Sequence, residues 1–262
     1  GYEADGYYTI NDFNADDAKH KTWTLKEGVV KINGYNPQPG DVKFKDLRVD
    51  GVINAGDNTV DNPGDRKVIG NDAARYQFGI SLGASYKGWS LEVLLQGVGK
   101  RDYWLGGPAM FPFGGAGAGD AVFQALYANQ TDYWRAKSYD PSSSDYMVPV
   151  NPDSKLFRIY DQGNNVGSNT RVSDKYLQNA AYMRIKNITL AYTLPKEWVR
   201  RAFIQDAKFY LSIENLATFS SLPKGYDPEG TAPSSTANAL SNGISWGYPY
   251  YRTISLGASI TF

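Results

Sequence analysis

Apolar and polar residues alternate with period two over five stretches of the chain, each long enough to cross a bilayer as a β-strand. The first covers about 75–87, with Tyr76, Phe78, Ile80, Leu82, Ala84 and Tyr86 on one side and Gln77, Gly79, Ser81, Gly83 and Ser85 on the other. Trp89, Leu91, Val93 and Leu95 oppose Ser90, Glu92 and Gln96 in the second, and Lys87-Gly88 between the two suits a tight hairpin. A third strand is expected over 182–194, where Ile188, Leu190, Tyr192 and Leu194 alternate with Asn187, Thr189, Ala191 and Thr193; its upstream end, with Arg184 and Lys186, breaks the rhythm. The fourth, about 207–219, sets Phe209, Leu211 and Ile213 against Tyr210, Ser212 and Glu214. The fifth sets Ile254, Leu256, Ala258, Ile260 and Phe262 against Thr253, Ser255, Gly257, Ser259 and Thr261.

One apolar and one polar face per strand fits two architectures, a half-buried soluble sheet or a membrane barrel with apolar residues outside and an aromatic girdle at each interface. Tyr76, Tyr86, Trp89, Tyr192 and Tyr250 stand where such girdles would lie. The connections favour the barrel. They run short, long, short, long: Lys87-Gly88, then 99–181, then 195–206 with a short helical turn predicted around Trp198, then 220–249. Outer-membrane barrels join strands by short periplasmic turns and long extracellular loops. With the chain's end on the periplasmic side, residues 1–73 form a further extracellular loop region, and 74–262 carry the strands with extracellular loops 99–181 and 220–249. The fold class is therefore all-β, a transmembrane antiparallel barrel. Five strands cannot close one, because the smallest have about eight, so the remaining strands must come from another chain, from oligomerisation or, the favoured reading, from elsewhere in the same protein.

Composition agrees: 20 Tyr, 6 Trp, 11 Phe and 27 Gly stand in a chain of negative mean hydropathy. No apolar run is long enough for a membrane-spanning helix. A formal charge of zero gives no electrostatic case for nucleic acid as partner. With no Cys and a single histidine, His20, thiol and His-cluster chemistry is excluded, and an enzyme is not expected. A glycoside hydrolase would need two carboxylates facing each other, and only Glu92 and Glu214 stand clearly on strands.

Several motifs resemble the C-terminal region of SusC/RagA-like, TonB-dependent transporters of Bacteroidota, in that family's order. They are Gly1-Tyr2-Glu3-Ala4-Asp5-Gly6; Pro39-Gly40-Asp41-Val42-Lys43-Phe44-Lys45-Asp46-Leu47 with Asp50-Gly51-Val52-Ile53; Gln96-Gly97-Val98-Gly99-Lys100-Arg101-Asp102; the run Tyr182 to Pro195; Glu214-Asn215-Leu216; and Gly225-Tyr226-Asp227-Pro228-Glu229. The resemblance implies a barrel of roughly twenty-two strands in the bacterial outer membrane, of which this chain supplies the last five. It further implies a plug and a TonB-contacting segment in the missing N-terminal part, a SusD-like surface lipoprotein as lid, and import of oligosaccharides, or in some members peptides. The alternative is a soluble or surface-attached carbohydrate-binding or adhesive β-domain.

Candidate contacts for such cargo are the aromatic and basic residues at the start and middle of the long loop, Arg101, Tyr103, Trp104, Tyr133 and Trp134, with Tyr127 between them. Sugar rings stack on flat aromatic faces, though the same rings could simply pack the loop. Asp46 to Asp57 has the length of a calcium loop, with Asp46, Asp50 and Asp57 at positions 1, 5 and 12 and Gly51 at 6. Arg48 occupies a ligand position, so Ca2+ binding competes with a turn in which the aspartates cap backbone amides. The glycine-rich 114–119 reads as a linker, with no Lys-Ser/Thr to make a phosphate loop. Phe262 ends the last alternating strand like the signal by which assembly machinery recognises barrels.

Overall fold

The computed structural model describes residues 1–14, 23–106, 110–111, 126, 128–159, 166–224, 226–230 and 250–262. Its elements are β1 (Ala4–Tyr7), β2 (Val42–Phe44), β3 (Arg75–Tyr86), β4 (Trp89–Lys100), β5 (Asp102–Trp104), β6 (Leu177–Asn179), β7 (Tyr182–Thr193), β8 (Asp206–Ser220) and β9 (Thr253–Thr261), and the helical segments among the described residues are short, of three or four residues each. Among the described residues no helix is long and apolar enough to cross a membrane. The chain forms two compact units, one from the described parts of Gly1–Asn71 and Trp104–Leu177, the other from those of Asp72–Tyr103, Gln178–Pro233 and Ser245–Phe262.

The five strands expected from alternation are all present, within a residue or so of their anticipated ends. They pair as one antiparallel sheet in the order β3-β4-β7-β8-β9, and the sheet is open, with β3 and β9 as its edges. Lys87 and Gly88 both take positive φ, 45° and 87°, as the two-residue turn that matches strand twist requires. The register lines up apolar residues in rows across the whole sheet. Leu82, Val93, Ile188, Ile213 and Ile254 form one row, and Ala84, Leu91, Leu190, Leu211 and Leu256 the next. An aromatic row, Tyr86, Trp89, Tyr192 and Phe209, closes the hairpin end, with the Trp89 and Tyr192 rings 4.7 Å apart. This face is not buried: Leu256 is 84% exposed and Ile254 65%. The opposite face is small and polar, its rows including Gly83, Glu92, Thr189, Ser212 and Ser255, where the Asn187, Thr189 and Ser212 side chains hydrogen-bond one another.

The broken alternation at the start of β7 has a physical cause. Register shifts by one at Lys186, which has no partner on β4, while on β8 the two residues Asn215 and Leu216 stand opposite it, one more than the ladder needs, with Asn215 in the left-handed region at φ 52°. A one-residue bulge reverses the facing of everything beyond it. Met183 and Ile185 upstream therefore share the apolar face with Ile188, Leu190 and Tyr192 downstream, and Arg184 lies in a polar row with Gln96 and Thr218.

The first unit has a core of its own. Tyr2, Tyr7, Ile32, Val42, Phe44 and Ile53 from the N-terminal segment pack with Phe111, Trp134, Met147, Leu156, Phe157 and Tyr176. Hydrogen bonds join the two segments across more than a hundred positions: Tyr2 N to Val172 O, Val42 N to Asn169 Oδ1 at 2.7 Å, and Asn169 Nδ2 to Asp41 Oδ1 at 2.7 Å. What alternation left as two separate loops is one folded body built around aromatic residues.

Because the apolar face is exposed by design, a charge there is expected to be costly and one on the reverse face is not. Ile254→Lys should lose about 2–4 kcal/mol and its neighbour Ser255→Lys almost nothing. Urea midpoints of the full-length protein folded into lipid bilayers check this.

Candidate functional site

The polar face of the sheet carries a buried ionic cluster. Arg184, whose side chain is 3% exposed, donates from Nε to Thr218 Oγ1 at 2.7 Å and from Nη2 to both carboxylate oxygens of Asp227 at 2.8 Å. Its Nη1 lies 3.2 Å from Glu229 Oε2, which also accepts from Lys186 Nζ at 2.7 Å. Both cations sit over the Tyr250 ring, at 5.0 and 4.7 Å from its centroid. The bulge makes this possible: residue 186 steps out of the ladder on the polar side, so two cations two residues apart reach one acidic segment. Asp227 and Glu229 come from the connection that follows β8, where Glu229 N donates to Asp227 Oδ1. That connection is thus tied back to the wall by charge-assisted, partly bidentate bonds, the strong class of hydrogen bond. Tyr250, expected in an aromatic girdle, instead serves these cations. Arg184 and Lys186 were visible in the sequence as a disturbance of period two within a resembling run, and Asp227 and Glu229 only as part of a resembling motif.

Of the candidate cargo contacts, Arg101 and Tyr103 belong to the second unit and Trp104, Tyr133 and Trp134 to the first. Arg101 is buried, donates from Nε to the Asp72 carbonyl at 2.9 Å, and stands 5.9 Å from the Tyr103 ring centroid. Tyr103 is buried as well, which pushes its hydroxyl pKa up despite the Arg101 charge. Trp104 packs against the core and meets Phe111, and Tyr133 is half-buried with the Arg135 guanidinium over its ring. Trp134 is a correction to the expectation of an exposed stacking surface: at 1% exposure it is a core side chain, seated over Gly40, where any Cβ would collide with the indole. Tyr127, His20 and the 114–119 run lie outside the described residues.

The acidic loop is organised as a turn. Asp46 accepts from the amides of Val49, Gly51 and, at 3.4 Å, Asp50; burial works against its charged form, but these amides hold its carboxyl below the usual carboxylate range. Arg48 pairs with Asp50 at 3.1 Å, and Asp57 accepts from the Asn62 carboxamide. Asp65, fully buried and absent from the expected set, accepts from the Arg48 and Asn54 amides and fixes the loop from below. The carboxylates of the loop thus accept from backbone amides, from Arg48 and from the Asn62 carboxamide, and among the described residues no trio of acidic or histidine groups is gathered for a metal ion. Phe262 follows β9 at the rim of the apolar face and is 80% exposed.

No family model matches the chain. It is similar to TonB-dependent receptor P3 of Formosa agariphila, 26% identical over all of this chain and 22% of that protein, and to TonB-dependent receptor P26 of the same organism, 24% identical over 92% of this chain and 22% of that protein. The chain thus spans about a fifth of the length of the curated relatives it matches. Among solved structures it aligns with the RagAB peptide importer in a closed-closed state, at a TM-score of 0.50 and 19% identity, over the whole chain and 23% of that protein.

Two outcomes follow from this geometry. Arg184→Leu leaves Asp227 and Glu229 without their guanidinium, a loss of about 3–5 kcal/mol for a broken buried pair, and should open the chain to trypsin at Lys224 in the full-length protein; replacing all three residues with apolar ones should restore much of the stability. In the first unit, Glu3 bridges Lys45 and Lys67, and hydrogen bonds from these two ammonium groups hold its pKa at about 2, down from 4.5. A depressed carboxylate pKa contributes stability above 4.5 that fades as pH falls toward 2. Glu3→Gln should flatten that part of the acid-unfolding profile.

Proposed function

We propose that this chain, part of a SusC/RagA-like TonB-dependent protein of the bacterial outer membrane, supplies a wall section and an outward-facing unit of an importer of hydrophilic oligomers. The observation that carries the proposal is the two-faced sheet. One face offers lipid a continuous apolar surface, flanked by the row Tyr86, Trp89, Tyr192 and Phe209, while the other offers small and polar groups suited to a wet interior. Its open edges need further strands, because an unpaired strand edge is not tolerated in hydrocarbon. A soluble binding domain would cover the apolar rows with a second layer, and here they are exposed.

Cargo passes through the barrel when a plug, held elsewhere in the protein, is moved by the TonB complex, with a SusD-like lipoprotein closing the outer mouth. Oligosaccharides are the first cargo class and peptides the second. The RagAB importer to which the fold is similar takes peptides, and the curated relatives are named only as receptors. The chain itself makes and breaks no bonds of the cargo.

The test is uptake by the native host with and without the full-length gene, using fluorescent oligosaccharides and oligopeptides of matched size. Loss of the protein should cut oligosaccharide entry about tenfold or more. Recovery of the full-length protein in the soluble fraction, or uptake of both cargo classes unchanged by its loss, would overturn the proposal.

A further inference from the structure

Two features meet at the end of the sheet where Lys87-Gly88 joins β3 to β4: a groove in the apolar face and a turn rich in cations and exposed rings. The groove has a volume of about 580 Å3, in the range of small-molecule pockets, and is lined by Trp89, Leu190, Tyr192, Phe209, Leu211 and Leu256. Its origin lies in the side-chain rows. The aromatic row Tyr86, Trp89, Tyr192 and Phe209 ends on β9 at Ala258, where the small side chain leaves room beside the Phe209 ring, while the next row continues through Leu190, Leu211 and Leu256. Rings and branched aliphatic chains therefore wall a slot at the level of the aromatic row.

The turn lies at the same end. Thr193 N donates to Gly88 O and Leu194 N to Ala207 O, so the chain leaves β7 beside the β3–β4 hairpin. Lys196–Val199 form one turn of helix, continued by Arg200–Ala202, and Val199 is buried. Lys196, Arg200 and Arg201 on this turn are exposed, and Trp198 is 63% exposed. Phe203 closes it at φ 58°, an uncommon conformation for a bulky residue, and is 93% exposed. The two short connections, 87–88 and 195–206, together hold four cations, Lys87, Lys196, Arg200 and Arg201, against two carboxylates, Glu197 and Asp206. Exposed Trp and Phe among Lys and Arg suit the headgroup layer of a bilayer, where rings sit at the boundary and long cationic side chains reach phosphates. Pro195 stands three residues past Tyr192, about 10 Å along an extended strand, so the turn and the groove are within reach of the headgroup and the chains of one lipid.

We propose that this end of the sheet is a binding site for one anionic glycerophospholipid, with an acyl chain in the Trp89–Leu256 groove and the phosphate against Arg200 and Arg201. The site rests on the reading that the apolar rows face lipid, but lipid retention is measured apart from transport. The full-length protein, purified in mild detergent, is followed by native mass spectrometry in an equal mixture of dipalmitoyl phosphatidylglycerol and dipalmitoyl phosphatidylcholine, and then with glycerol phosphate added. Expected are one phosphatidylglycerol held about tenfold more tightly than phosphatidylcholine, a ratio near parity in Arg200→Ala/Arg201→Ala, and no competition by glycerol phosphate, which has no chain for the groove. Ala258→Phe fills the groove with another apolar side chain on an apolar face, so the fold should persist while retention of both lipids falls about tenfold. Equal retention of the two lipids, an unchanged ratio in the arginine variant, full retention in Ala258→Phe, displacement by glycerol phosphate, or a lipid-free dimer with a second copy on this face would each overturn the site. If the protein fractionates with the outer membrane and supports uptake yet shows no lipid preference, the site alone falls. If uptake of every oligomer is independent of the protein while lipid retention behaves as expected, the importer reading falls and the site stands.

Discussion

The backbone of a strand that crosses hydrocarbon must find every hydrogen-bond partner inside the sheet, and the rest of this structure follows from that requirement. It fixes the long antiparallel ladders of β3, β4, β7, β8 and β9, and it makes the side-chain rows continuous from one strand to the next. Once the ladder is fixed, side chains can differ only by face. The apolar rows running from Leu82 to Ile254 and from Ala84 to Leu256 are therefore a property of the sheet, although each strand shows only its own share of them.

The bulge at Lys186 shows how a departure from that ladder is used. An extra residue costs a pair of backbone bonds but lets the strand keep Met183, Ile185 and Ile188 on one face despite their odd spacing. It also gathers Arg184 and Lys186 against Asp227 and Glu229, so the connection after β8 is held to the polar wall by ions at the level where the ladder is interrupted. A buried ionic cluster is weak evidence for stability, since apolar replacements can equal it. Its evident effect here is positional, setting one geometry for a long connection.

The first unit solves a different problem. The described parts of residues 1–71 and 104–177 have few regular elements, yet they surround a dense aromatic core. Backbone groups that lack ladders are satisfied by side chains: Asp46 and Asp65 cap the amides of one turn, and Asn169 serves Asp41 and Val42. The same economy explains why the acidic loop makes a turn and why Trp134 packs inward over Gly40.

The sequence by itself determined the five strands, their hairpin and the two-faced character of the sheet, because period-two alternation is a local property written in consecutive residues. Tertiary structure alone decided which residues form the ionic cluster, that Tyr250 serves its cations, that Trp134 and Tyr103 are buried, and that two loop segments share one core. Those facts rest on contacts between positions dozens to more than a hundred residues apart, such as Arg184 with Asp227 and Val42 with Asn169. No periodicity records them, and a bulge, which reverses a strand's facing by one residue, appears in the sequence only as lost regularity.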